Sequence, residues 1–199
     1  LKGLNSIASL INYTRSSQNL TSNSWDNCIV PRVVLAKILP FFSELKIHVL
    51  QQIERRRLKK IQFNNSDLFN RVVREASVQA LSNATSNALR IREQVEKLLK
   101  IHKPKCIVIT YEGYAWERLV FDTAKEVCPN IKCIGYQHTA IFESQHSMIS
   151  NLSSSFNPDF ILTTGEITKQ LLQEKFEKFQ ILVKTLGSPR AFNLDGDIQ

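Results

Sequence analysis

Glu112, Glu117, Arg118 and His138 are the residues whose types and spacing could do chemistry. The two carboxylates follow one apolar run and the imidazole follows the next. A carboxylate at one strand end and an imidazole at the neighbouring one can share a substrate hydroxyl. That is a general acid–base arrangement, given a final reach of about 3 Å. Each residue also has a plain structural role open to it. Glu112 could favour the positive end of the helix after it. Glu117 and Arg118 could be surface residues in helical ion pairs, and His138 a hydrogen-bonded loop residue.

The elements that must position these groups lie in the second half of the chain. Residues 106–111 form a short continuous apolar run, suited to a strand buried on both faces. A helix is expected over 114–127, stopped by Cys128-Pro129-Asn130. A second strand covers 131–136 and a third 159–163, introduced by Asn157-Pro158. A helix over 166–179 and a fourth strand over 180–186 follow, ended by Gly187-Ser188-Pro189. Strand and helix alternate, which predicts right-handed crossovers and a parallel sheet covered by helices. In such a sheet ligands sit at the carboxyl ends of the strands. The residues there are Glu112, Gly113 and Tyr114 with Trp116, Glu117 and Arg118; Gln137, His138 and Thr139 with 142–146; Thr164, Gly165 and Glu166; and Gly187, Ser188, Pro189 and Arg190.

The first half, residues 1–103, reads as helix and loop. Leu4, Ile7, Leu10 and Ile11 have helical spacing, and residues 16–27 are a polar loop. Pro31 is placed to open a helix through Val33, Val34, Ile38 and Leu39, with Pro40 kinking or ending it. Leu45, Val49, Ile53 and Leu58 continue a helical stripe. Asp67 is the expected N-cap of one long helix over 68–102, with an apolar face from Val72 through Ala80, Ala88, Ile91 and Val95 to Leu99. Lys103-Pro104 ends it. The expected class is α/β: a Rossmann-like parallel sheet of about four or more strands with flanking helices over 104–190, preceded by a helical first half, with a polar tail at 191–199.

Composition narrows the classes. The chain has 199 residues, 43% hydrophobic and 22% charged, with six Gly and six Pro. That excludes a disordered tail, a collagen-like fibre and a low-complexity linker. A chain of this size hides roughly 70% of its unfolded surface. No stretch is long and apolar enough for a membrane span, and residues 1–20 lack the pattern of a secretion signal. Leu1 is not Met, which reads as a piece excised from a longer product. Cys28, Cys106, Cys128 and Cys133 form no C-x-x-C pair, so no zinc site is expected. Cys106 and Cys133 read as buried small hydrophobes.

The motifs Y-E-G-Y-A-W-E-R (111–118), G-Y-Q-H-T (135–139), N-P-D-F-I-L-T-T-G (157–165) and L-G-S-P-R (186–190) resemble bacterial surface-carbohydrate biosynthesis proteins. These are glycosyltransferases of the two-Rossmann-domain (GT-B) type, near the capsule and lipopolysaccharide enzymes that use Kdo or sialic-acid-like donors. The resemblance covers about residues 105–190. It implies a cytoplasmic transferase, peripheral to the inner membrane, with a nucleotide-sugar donor and a glycan or glycolipid acceptor. It implies Glu112 and His138 as catalytic groups, with Glu117 as the rival carboxylate. Gly113, Tyr114, Glu117, Arg118, Tyr136, Gln137, Ser188 and Arg190 would bind substrate. Arg118 would hold Glu112 or a sugar carboxylate in a bidentate pair. The donor-binding second domain of such enzymes is not in this sequence, and no G-x-G-x-x-G or P-loop replaces it, so this chain alone is expected to be inactive. No metal or other cofactor is implied, and Asp195-Gly196-Asp197 lies in the polar tail. A nucleotide-sugar epimerase would share the layout.

The net charge is +8, and Arg55, Arg56, Arg57, Lys59 and Lys60 form its densest run. The run is either the solvated face of a helix or a contact for an anionic membrane leaflet, at roughly 1 kcal/mol per basic residue. No interleaved aromatics or RNA-binding signature accompany it, so nucleic acid is not expected.

Overall fold

A computed structural model describes residues 7–11, 32–63, 66–141, 147–150 and 152–187. The chain divides into two compact units, Leu1–Arg90 and Ile91–Gln199.

In the first unit, strand β1 (Ala8–Ile11) pairs in parallel with β2 (Arg32–Leu35), Ala8 opposite Arg32 and Ile11 opposite Leu35. Both segments carry helical apolar spacing, so both expectations of helix there are corrected. Apolar runs this short fit either period. Ile11, Val33 and Val34 are β-branched, which favours the extended form. Pro40 does not end a helix but begins one, because a missing N–H costs nothing at a helix start. Helix α1 (Phe41–Lys59) follows it, with Ser43 and Glu44 donating to the Pro40 carbonyl.

Helix α1 packs through Ile47 and Gln51, not through Leu45, Val49 and Ile53, which are exposed. The Gln51 amide donates to the Ala80 carbonyl at 2.8 Å and to Ser86 Oγ at 3.1 Å. Helices α2 (Asp67–Gln79) and α3 (Asn83–His102) replace the single long helix expected. Ser82 makes the break. Its hydroxyl accepts from the Thr85 amide at 3.2 Å, while Thr85 Oγ1 donates to the Gln79 carbonyl at 2.8 Å. A new helix start needs such side-chain acceptors for its first amides. Ser66, not Asp67, caps α2. Along α3, Ala88, Ile91, Val95 and Leu99 are buried as the spacing predicts.

The second unit is α/β. Its strands are β3 (Cys106–Thr110), β4 (Lys132–Gln137), β5 (Phe160–Thr163) and β6 (Leu182–Thr185). They form one parallel sheet in the order β3-β4-β5-β6. Helix α4 (Ala115–Val127) joins β3 to β4, and α5 (Glu166–Phe176) joins β5 to β6. The result is a Rossmann-like parallel sheet flanked by helices, preceded in sequence by a mainly helical first half.

Strand order runs in one direction, so right-handed crossovers place both helices on one face. That face is dry: Cys133, Gln137, Ile161, Thr163 and Val183 are buried there, as are Phe121 of α4 and Leu172 of α5. Alternate residues point to the other face. Its middle row is Val108, Ile134, Phe160 and Leu182, paired across all four strands. Val108 is 54% exposed and Leu182 43%. Strand β3 is therefore an edge with one wet face, not a strand buried on both sides. Cys106 shares that face and is exposed, whereas Cys133 is buried and its thiol is pushed up to about 12 by burial. Cys28 lies outside the described residues.

Candidate functional site

The site is built where β3 and β4 end. The ladder continues one residue beyond β3, with the Tyr111 amide donating to the Tyr136 carbonyl at 2.9 Å. Glu112 follows Tyr111, and His138 follows Gln137, the last residue of β4. Neighbouring strands lie about 4.8 Å apart, so a carboxylate and an imidazole stand at adjacent strand ends.

Beyond Glu112 the chain turns at Gly113, whose φ is +86°. The turn wraps a carboxylate. Glu117 Oε2 accepts from the amides of Glu112, Gly113 and Tyr114 at 2.9, 2.7 and 2.9 Å. Glu117 is 1% exposed, in the first turn of α4. Burial pushes its carboxyl up to about 7, against the downward pull of the three amides. The Glu112 carboxylate is differently placed. It lies close enough to exposed Tyr114 to raise the phenol by hydrogen bonding. Of the two rivals, Glu112 is the one a ligand can reach, and Glu117 shapes the loop that presents it.

Arg118 holds neither Glu112 nor open space. It is 5% exposed. One Nη donates to Asn157 Oδ1 at 2.8 Å, the other to the carbonyls of Ser147 and Met148, the latter at 3.0 Å. Its guanidinium lies 5.8 Å from the centre of the Tyr111 ring. The Tyr111 hydroxyl also donates to the Met148 carbonyl, and burial pushes this phenol up to about 12. Ser147 Oγ donates to the Glu112 carbonyl at 2.8 Å. Arg118 and Tyr111 thus staple residues 147–148 onto the Gly113 turn.

On β4 the strand period splits the motif. Gln137 is fully buried on the helix-covered face and donates to the Thr139 carbonyl at 2.7 Å, while its own Oε1 has no partner among the described residues. Gly135 is buried too, beneath the Tyr111 ring rather than along a cleft. Tyr136 and His138 share the open face. Their rings stack at 16° and 6.0 Å, and the Tyr136 hydroxyl donates to the Gly187 carbonyl at 3.4 Å. The reachable groups are therefore Glu112, Tyr114, Tyr136 and His138. Ser188 and Arg190 lie outside the described residues, as do 142–146.

Ser147, Met148 and Asn157 complete the site and were not read from the sequence as part of it. Asn157 reads locally as a strand-preceding breaker, and nothing in residues 147–148 signals a carbonyl clamp for an arginine. The basic residues belong to α1. Arg56, Arg57, Lys59 and Lys60 are exposed there, and Arg57 pairs with Glu54 at 2.6 Å. Among the described residues, no three His, Cys, Asp or Glu side chains are placed to hold a metal ion. No described helix is long and apolar enough to cross a membrane.

The buried carboxyl makes stability depend on pH. The Glu117 value in the folded chain lies above the ordinary 4.5. Between those two values the folded state binds a proton that the unfolded state releases. The stability from that proton is full below pH 4.5 and is lost as pH rises through about 7. The decline is at most about 3 kcal/mol at 1.36 kcal/mol per pKa unit. Denaturant unfolding across this window should show the decline, and Glu117→Gln should flatten it. A flat wild-type profile would mean that the amides keep the carboxylate ionised throughout.

Compared with protein-family models, with curated proteins and with solved structures, the chain matches none.

Proposed function

We propose that this chain is the acceptor-side domain of a glycosyltransferase, moving a sugar from a nucleotide-sugar donor to a surface polysaccharide or glycolipid. The observation that carries this reading is the pair of adjacent strand ends bearing Glu112 and His138. The Tyr114 hydroxyl stands near the Glu112 carboxylate, which raises its phenol by hydrogen bonding. A sugar hydroxyl displacing the phenol would meet the same carboxylate, which would serve as the base that takes its proton. The stacked Tyr136 and His138 rings offer an apolar plate beside a few polar groups, the usual composition of a small-ligand site. Glu117 and Arg118 act in this reading as positioning residues. The donor nucleotide belongs to a second α/β domain.

The test is sugar transfer by the protein carrying both domains, with CMP-Kdo, CMP-sialic acid and UDP-sugars as donors and a glycolipid extract as acceptor. Glu112→Gln is expected to lower kcat by about a hundredfold or more, the usual size of a general base contribution. Tyr114→Phe should leave kcat within a few-fold, because the phenol only occupies the place of the acceptor. Transfer undiminished by Glu112→Gln would move the chemistry elsewhere. Turnover with no donor would end the transferase reading.

A further inference from the structure

Helix α1 has two apolar sides. Ile47 is buried on one, beside half-buried Leu58. Phe42, Leu45, Val49 and Ile53 lie on the other, spaced three, four and four residues apart. At 100° per residue these four fall within an arc of about 80°, opposite Ile47 and Gln51, in a stripe roughly 16 Å long. They are 81%, 47%, 47% and 54% exposed. An exposed stripe of this kind on a folded chain marks an interaction surface.

The charges around the stripe say what it fits. Lys46, Arg56, Arg57, Lys59 and Lys60 are exposed on α1 and its last turn. The two acids of the helix are both paired with arginines. Glu44 accepts from the Leu39 amide and takes Arg90 in a two-pronged pair at 2.8 Å. Glu54 is clamped by Arg57. The stripe side of α1 therefore shows aliphatic, aromatic and cationic groups, with Glu54 neutralised by Arg57. A helix that lies in the boundary of an anionic bilayer has this arrangement, with apolar groups below the headgroups and Lys and Arg among them. A second copy of the chain would bring the same cations against each other.

We propose that α1 docks the chain on an anionic lipid surface, inserting Phe42, Leu45, Val49 and Ile53 while Arg56, Lys59 and Lys60 meet the headgroups. The proposal does not depend on the reaction assigned above.

The test is flotation of the chain with vesicles of phosphatidylcholine alone or mixed with phosphatidylglycerol. Binding is expected to the mixed vesicles only. The triple change Arg56→Gln, Lys59→Gln, Lys60→Gln should weaken it about a hundredfold. The triple change Leu45→Gln, Val49→Gln, Ile53→Gln alters only exposed positions. It should weaken binding about tenfold or more with circular dichroism unchanged. A polarity-sensitive dye on Val49→Cys should shift to the blue with mixed vesicles alone. Three results would overturn the proposal. One is no binding to either vesicle. Another is wild-type binding by the stripe variant with no dye shift, which leaves only adsorption of the basic run. The third is a wild-type dimer that the stripe variant dissolves without lipid, which makes a second copy the occupant.

Discussion

Gly113→Ala should lower stability by about 4 kcal/mol, combining roughly 1–2 for a side chain at positive φ with 1–3 for overpacking. At Gly113 φ is +86°, and an added Cβ would stand 2.5 Å from the Met148 nitrogen and the Ser147 carbonyl carbon. Both neighbours are backbone, held in turn by Arg118. They cannot swing aside as a flexible side chain would. In a chain of this length the loss corresponds to a fall in Tm of roughly 10 °C. Two other glycines calibrate the result. Gly187 has φ +93° and, among the described residues, nothing within 4 Å of a built Cβ, so Gly187→Ala should show the backbone strain alone, about 1 kcal/mol. Gly165 begins α5 with ordinary φ and open space, so Gly165→Ser should raise stability by a few tenths of a kcal/mol as a helix cap. Chemical denaturation of the three variants checks the order. A Gly113→Ala loss no larger than that of Gly187→Ala would show that the 147–148 backbone yields.

Arg118→Met is the second large effect. The change keeps the aliphatic stem and removes the fork. Asn157 Oδ1 and the Ser147 carbonyl then lose this donor, and the Met148 carbonyl keeps only the Tyr111 hydroxyl. Each orphaned acceptor costs about 1–3 kcal/mol, partly offset because a buried charge is also removed, so a net loss of about 4 kcal/mol is expected. Arg118→Lys should recover only part of this, since one ammonium cannot reproduce a planar fork. Hydrogen exchange distinguishes a staple from a general packing role. The amides of Met148 and Gly113 should exchange faster in Arg118→Met, while those of β5 and β6 change only with global stability. Equal loss of protection throughout the second unit would mean that Arg118 does not hold this turn in particular.

The alternation of strand and helix from Cys106 onward was legible because it is written locally. Apolar runs of four to six residues, broken at Gly113, at Cys128-Pro129-Asn130 and at Asn157-Pro158, fit strands between turns whatever lies around them. The same local rule failed for Ile11 and for Val33–Val34, where a short apolar run fits either period. It also missed the break between α2 and α3. Ser82 caps α3 through Thr85, but both residues sit inside an apolar pattern that reads as continuous. The stripe of Leu45, Val49 and Ile53 was visible in the sequence. Its exposure was not, because α1 has a second apolar side and packing chose that one.

By itself the sequence determined which residues reach the carboxyl ends of β3 and β4, since period and breakers set strand limits. It also determined that Tyr136 and His138 share a face opposite Gln137, since a strand alternates strictly. Tertiary structure alone decided that Glu117 is enclosed and Glu112 open. Both carboxylates follow the same strand, and only the Gly113 turn brings three amides onto one of them. It alone decided that Arg118 binds carbonyls about 30 residues ahead and Asn157 beyond them. It alone left one face of the sheet open, because that follows from strand order. The physical reason is common to all three. Period and propensity act between neighbours in sequence, whereas burial and the pairing of buried polar groups depend on contacts that exist only once distant segments have met.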